Sequence, residues 1–117
     1  MKTNLLSLIL ALALDLTPAV FAETRTLRGE IMDSPCAEMG SHEHMMKSEK
    51  ARNARECTLA CSKTHGALVL YDAANKKVYK LDDQIKPKTF AGKKVMVTGE
   101  YDDALKTIRL RSIRAAS

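Results

Sequence analysis

The residues that could do chemistry are concentrated in one stretch of the chain, from Cys36 to Gly66. It contains all three cysteines, all three histidines and three of the six methionines of the 117-residue sequence. Thiolates, imidazoles and thioethers bind soft and borderline metal ions, and cysteines pair as disulfides in oxidising compartments. The stretch therefore predicts either a metal site or a disulfide.

Two overlapping sets of metal ligands can be drawn from this stretch. Cys57, Cys61 and His65 recur every fourth residue, so they would lie along one face of a helix. Together with Cys36 they form a candidate Cys₃His set, which suits tetrahedral zinc. A second set lies on the flanking loop, where thioether and imidazole ligands favour copper(I); it consists of Met39, His42, His44, Met45 and Met46.

A disulfide is the alternative use of the same cysteines. On an intact helix Cys57 and Cys61 have Cβ atoms about 5 to 6 Å apart, whereas a disulfide needs about 3.5 to 4.5 Å. We therefore expect Cys36 to pair with Cys61, since both lie close to strand ends that an antiparallel pairing would bring together. Closing this loop would stabilise the fold by roughly 3 kcal/mol and would leave Cys57 as a free thiol or an intermolecular partner.

The start of the chain has the pattern of a secretory signal peptide. A short basic segment is followed by an apolar run over residues 5–16, and small residues precede a cleavage point after Ala22. The apolar run is shorter than the roughly 20 residues that a membrane-spanning helix needs. We predict a signal peptide over 1–22 and an exported chain of one domain over 23–117, located in the periplasm or outside the cell, with no transmembrane span after cleavage.

The rest of the chain predicts β-structure around one helix. Proline-free and glycine-free sequence over 47–64 predicts the helix, and Gly66 stands where a helix usually stops. Alternating apolar and polar residues predict strands, and 83–90 is predicted as a loop or a single helical turn. The strands are predicted over 26–33, 67–72, 77–82, 92–101 and 106–113.

Five short strands predict a small OB-like barrel or curled antiparallel sheet, with the helix inserted between strands 1 and 2. Gly29 in the first strand and Gly99 in the fourth stand where a strongly bent strand needs them. An open five-stranded sheet with one covering helix is the alternative. In either case residues 36–66 form a Cys-, His- and Met-rich loop and helix inserted into the domain.

The order of several short motifs resembles a group of small exported bacterial proteins of unknown function. The motifs are Gly-x-Ile-x-Asp-x-x-Cys from Gly29 to Cys36, Cys57-x-x-x-Cys61, Gly66-Ala67, Val-Tyr-x-Leu from Val78 to Leu81, and Gly-Lys-Lys-Val-x-Val-Thr-Gly from Gly92 to Gly99. The resemblance implies an OB-like domain and export. It implies no reaction.

The composition favours a binding module over an enzyme. No Ser/His/Asp set, phosphate-binding loop or acid pair stands at a convincing spacing, and thiol redox chemistry is the one enzymatic alternative. The formal net charge is +5, but few aromatic residues are present for stacking, so we do not expect nucleic-acid binding.

The first hypothesis is a disulfide-stapled module that binds a small ligand or an envelope component. The second is a copper- or zinc-binding protein. Both are expected to be monomers, with a dimer through a free cysteine as the alternative.

Overall fold

The structure, a computed structural model, describes residues 23–43, 46, 51–64 and 66–116. Strand β1 spans Thr24–Asp33 and is followed by helix α1 (Ser34–Met39) and helix α2 (Ala54–Thr64). The other strands are β2 (Leu68–Asp72), β3 (Lys77–Leu81), β4 (Lys94–Asp102) and β5 (Thr107–Ala115), and a 3-10 helix spans Lys86–Phe90. The predicted signal peptide, 1–22, lies outside the described residues.

The five strands form one mixed sheet in the order β1-β2-β3-β5-β4, and β4 pairs back to β1, so that the pairings close. This confirms a mainly β fold with a helical insertion between the first two strands. One detail of the prediction is wrong, because the sheet is not wholly antiparallel. Strands β3 and β5 run parallel, with Lys80 opposite Thr107 and Leu81 opposite Ile108.

The two strand glycines lie where the backbone of a neighbouring strand approaches closely. The β4–β5 register shifts between Thr98 and Gly99, which marks a β-bulge. A Cβ atom on Gly99 would collide with the carbonyl oxygen of Arg109, and one on Gly29 would lie 2.5 Å from the carbonyl oxygen of Tyr71. Both positions therefore require glycine, which is also what a strongly curled sheet needs there.

Successive residues of β1 face two different cores. Ile31 belongs to the cluster inside the sheet, while Met32 belongs to a second cluster between the outer face of the sheet and the two helices. The alternation follows from the strand period, which points neighbouring side chains to opposite faces. The second cluster contains all three cysteines of the insertion; its buried members are Met32, Cys36, Ala37, Cys57, Cys61 and Val69.

Helix α2 begins later than predicted because Asn53 acts as its N-cap. The Asn53 side chain accepts a hydrogen bond from the backbone N–H of Glu56 at 2.9 Å, and its carbonyl accepts one from Cys57 at 3.1 Å. The helix therefore starts at Ala54, and residues 47–50 of the predicted helix lie outside the described part of the chain. Arg55 donates a hydrogen bond to the Thr89 carbonyl at 3.1 Å, which fixes the start of α2 against the 3-10 helix.

Helix α1 is absent from the sequence prediction, which ended the strand at Asp33–Pro35 and continued as a loop. Pro35 lies in its first turn, where a missing N–H costs nothing. Gly40 ends it in the left-handed conformation, at φ 74°. Among the described residues, no helix is long and apolar enough to span a membrane.

Candidate metal centre

Asp33 lies at the junction of β1 and α1, and its carboxylate is fully buried. One oxygen, Oδ2, accepts a hydrogen bond from the backbone N–H of Cys36 at 3.0 Å and so caps α1. The other oxygen, Oδ1, is buried and has no hydrogen-bond partner among the described residues. A buried carboxylate oxygen without a partner is costly, and a cation or a hydrogen-bond donor beside it would remove that cost.

Two buried thiols lie beside this carboxylate. Cys36 comes from the first turn of α1 and Cys57 from the first turn of α2, and the exposed fraction of each is 0%. Their Sγ atoms are 3.9 Å apart. Burial raises the pKa of the Cys36 thiol far above its usual range, and the Asp33 carboxylate and Cys57 add to this effect. A bound cation would reverse this preference, because its charge favours the thiolates.

His42 completes the group from the turn that follows α1. The N–H of Gly40 donates to the Ala37 carbonyl, and that of Ser41 donates to the Cys36 carbonyl at 3.1 Å. These two bonds reverse the chain, so that His42 returns towards β1. Its Nε2 lies 2.7 Å from Oε2 of Glu30, and its Nδ1 is buried with no hydrogen-bond partner in the described part of the chain.

The His42–Glu30 pair resembles the outer shell of many protein metal sites. A metal-bound histidine usually donates its second ring N–H to a carboxylate, which fixes the tautomer and the ring orientation. With Nε2 donating to Glu30, the lone pair of Nδ1 is available for a metal ion. The Glu30 carboxylate therefore supports His42 as a ligand without itself belonging to the ligand group.

Asp33, Cys36, His42 and Cys57 each offer one ligand atom, and these four atoms all lie within 4.8 Å of one another. In a tetrahedral zinc site, Zn–S bonds of about 2.3 Å place two sulfurs about 3.8 Å apart. The observed 3.9 Å between Cys36 and Cys57 matches this separation. The donor set, two thiols, one imidazole and one carboxylate, also consists only of groups that zinc accepts.

The structure merges parts of the two predicted ligand sets. Cys36 and Cys57 come from the first set and His42 from the second, while Cys61 is buried in the same cluster without contributing to the four-atom group. Met46 packs, partly buried, against this cluster, whereas Met39 is 48% exposed. The three remaining candidates, His44, Met45 and His65, lie outside the described residues.

Asp33 is the member of the four-atom group that the sequence did not predict. Its position at a strand end indicated only local hydrogen bonding, and Oδ2 does make such a bond. The available signal was its position three residues before Cys36: an N-cap side chain lies beside the first turn of its helix, so a buried cysteine in that turn lies next to the carboxylate.

No two cysteines of this chain lie at disulfide distance in the structure, and the predicted bridge between Cys36 and Cys61 stays a prediction. The observed neighbour of Cys36 is Cys57, at 3.9 Å, whereas a disulfide holds its sulfurs about 2.05 Å apart. If an oxidised form exists, this neighbour relationship favours a bridge between Cys36 and Cys57.

Comparisons with protein-family models, curated proteins and solved structures find no match to this chain. The functional argument therefore depends on the chemistry of the site.

Proposed function

We propose that this protein is a small exported zinc-binding module whose metal ion ties the helical insertion to the β-domain. The ligands are Asp33, Cys36, His42 and Cys57. The observation that carries the proposal is the group of four ligand atoms within 4.8 Å of one another, two of them thiols at zinc-like spacing. Asp33 and His42 also each have a buried polar atom without a hydrogen-bond partner among the described residues. A single cation would satisfy all four groups.

Zinc fits this donor set better than copper. Two thiolates and one carboxylate supply three negative charges, which leaves a net charge of −1 around a divalent ion. Copper(I) prefers thiolate and thioether sulfur, and a carboxylate oxygen is a poor ligand for it. Copper(I) bound by Cys36 and Cys57 is the outcome that the metal analysis must distinguish.

The ion would act structurally. Four protein ligands leave no position for a substrate, which is the pattern of structural rather than catalytic zinc. The four ligands come from the end of β1, from α1 and the turn after it, and from α2. In a domain of about 95 residues, such a link would contribute stability that a small core alone supplies poorly.

The first experiment is the intact mass of the exported protein, measured under native conditions and again after denaturation with a thiol label. One zinc per chain, three labelled thiols after denaturation and a lower melting temperature in a chelator would support the proposal. A stoichiometric copper mass would replace zinc with copper. No metal together with three labels would overturn metal binding.

A disulfide-stapled module is the second candidate, favoured by the proximity of Cys36 and Cys57. In this form the exported protein would bind a small ligand or an envelope component, and the bridge would replace the metal. It predicts a single labelled thiol, that of Cys61, and no response to chelators. Peptide mapping of the oxidised protein would identify the bridge.

A further inference from the structure

Strand β1 changes partners along its length and leaves one edge open. Its residues from Thr24 to Glu30 pair with β4, and those from Glu30 to Asp33 pair with β2 on the other edge. Strand β2 ends at Asp72, where the chain turns into β3. In the described part of the chain, no strand pairs with the second edge of β1 before Glu30.

The backbone groups on this open edge can be identified from the alternation of the strand. Both the N–H and the C=O of Ile31 bond on the β4 side, to Lys93 and Gly92. Neighbouring residues of a strand direct these groups to opposite edges. The N–H and C=O groups of Thr26 and Arg28 therefore point to the open edge, where a further strand could pair with them.

A cleft of about 720 Å³ follows this edge. It is lined by residues 26–30 of β1, by residues 72–75 of the β2–β3 turn and by residues 40–42 of the turn after α1. The volume lies within the range of about 300 to 1,000 Å³ that ligand sites occupy in proteins. The side chains of the opposite turn include Ala73 and Ala74, which leave room beside the open strand edge.

The charges available in the cleft are positive. Both of its acidic groups are engaged within the protein: Glu30 binds His42, and Asp72 accepts two hydrogen bonds from Asn75. Arg28 donates only to Met96 Sδ, at 3.4 Å, and neither Arg28 nor Lys94 forms an ion pair among the described residues. An occupant with negative side chains would pair with both cations.

We propose that this cleft binds an extended polypeptide segment with acidic side chains, which adds to the open edge of β1 as a further strand. Backbone hydrogen bonds to Thr26 and Arg28 provide the pairing, as in other cases of strand addition, and Arg28 and Lys94 select acidic side chains. Of the four proposed metal ligands, only His42 lines this cleft, at its border with Glu30. This proposal does not depend on the metal.

The test uses two blocked peptides, acetyl-Val-Glu-Val-Glu-Val-amide and its lysine counterpart, titrated against the full exported chain by calorimetry. We expect the glutamate peptide to bind and the lysine peptide to bind at least tenfold more weakly. Arg28→Glu should reverse this preference, whereas Lys88→Glu, the same charge change outside the cleft, should leave it unchanged. Equal affinity for both peptides, or binding of neither, would overturn the proposal.

Thr26→Pro tests the strand pairing itself. It removes an N–H that points away from β4, and an edge position whose N–H is not used in the ladder tolerates proline. We expect a loss of about tenfold in affinity for the glutamate peptide, while Thr26→Val, which removes only the hydroxyl group, should bind as the wild type does. If Thr26→Pro does not fold, amide exchange in the wild type decides: the peptide must slow exchange at Thr26 and Arg28, and unchanged rates there contradict strand addition.

Discussion

The carboxylate of Asp33 has two roles towards Cys36. Through Oδ2 it caps the helix that carries Cys36, at 3.0 Å from the backbone N–H, and through Oδ1 it faces no hydrogen-bond partner in the described part of the chain. Capping holds the carboxylate beside the thiols. The second oxygen then remains available for a metal ion.

These two roles can be separated by Asp33→Asn. Asparagine is as good an N-cap as aspartate, but it lacks the anionic charge of a zinc ligand. We expect zinc affinity to fall at least tenfold. Even the loss of a residue that only hydrogen-bonds to a metal ligand usually costs about 10- to 100-fold in affinity. The melting temperature of the metal-free protein should stay the same or rise, since the buried negative charge of Asp33 is removed.

Thermal denaturation with and without added zinc measures both effects. A variant that unfolds at the same temperature with and without zinc would support Asp33 as a ligand. A variant that keeps the full zinc-dependent rise in melting temperature would exclude Asp33 as a ligand.

Cys57 and Cys61 form a matched pair for testing the identity of the ligands. Both are fully buried on the same face of α2, but only Cys57 belongs to the four-atom group. We expect Cys57→Ser to abolish stoichiometric zinc binding and Cys61→Ser to retain it. Native mass spectrometry of the two variants, prepared identically, is the measurement. Zinc loss in both variants would restore the Cys₃His set that the sequence predicted, whereas zinc loss in Cys61→Ser alone would contradict both sets of ligands.

The stability of the fold should fall in acid because of Asp72 in the β2–β3 turn. The side chain and backbone of Asn75 donate hydrogen bonds to Asp72 and hold the pKa of that carboxyl below its usual value. A carboxyl with a lowered pKa in the folded state stabilises the fold above its unfolded pKa of about 3.9, and this contribution is lost as the pH falls through the folded value.

Asp72→Asn should remove this part of the acid sensitivity. Asparagine accepts the same backbone hydrogen bond, but it does not titrate. Urea denaturation at several pH values between 5 and 3 should therefore show a smaller fall in stability for the variant than for the wild type. Identical pH dependence in both proteins would show that Asp72 contributes nothing to it.

More of the sheet than of the candidate site could be predicted from the sequence, because strands are recognised from the pattern of neighbouring residues. The alternation in β1 separates Ile31 from Met32, and the need for glycine at Gly99 is visible as a break in the pattern of β4. The parallel pairing of Leu81 with Ile108 has no such signal, since it joins residues that are distant in sequence. Asn53 is a favourable N-cap residue, but the predicted helix over 47–64 depended on the absence of proline and glycine and did not use it.

The candidate metal centre was predicted only in its residue types. The sequence indicated thiols and imidazoles between residues 36 and 65, but which of them meet depends on two features outside the helical repeat. The first is α1, which places Cys36 beside Asp33. The second is the reversal at Gly40, which returns His42 towards Glu30 and the two thiols. A prediction based on every fourth residue of one helix could not include either.

The His42–Glu30 pair provides the last prediction, because it tests whether His42 is a metal ligand without touching the four ligand atoms. Glu30→Gln keeps the size and the hydrogen-bonding capacity of the side chain, but it removes the negative charge that raises the basicity of the imidazole. We expect zinc affinity to fall by about 10- to 100-fold, the usual cost of losing an outer-shell carboxylate.

Glu38→Gln is the matched control, since Glu38 is an exposed residue of α1 outside the ligand group. Competition with a chromogenic chelator gives the zinc affinity of both variants. An unchanged affinity in Glu30→Gln would mean that Glu30 only packs against His42. A loss of zinc affinity in Glu30→Gln but not in Glu38→Gln would link the cleft to the metal centre through His42. Glu30 lines the cleft, and its carboxylate orients His42, a proposed metal ligand.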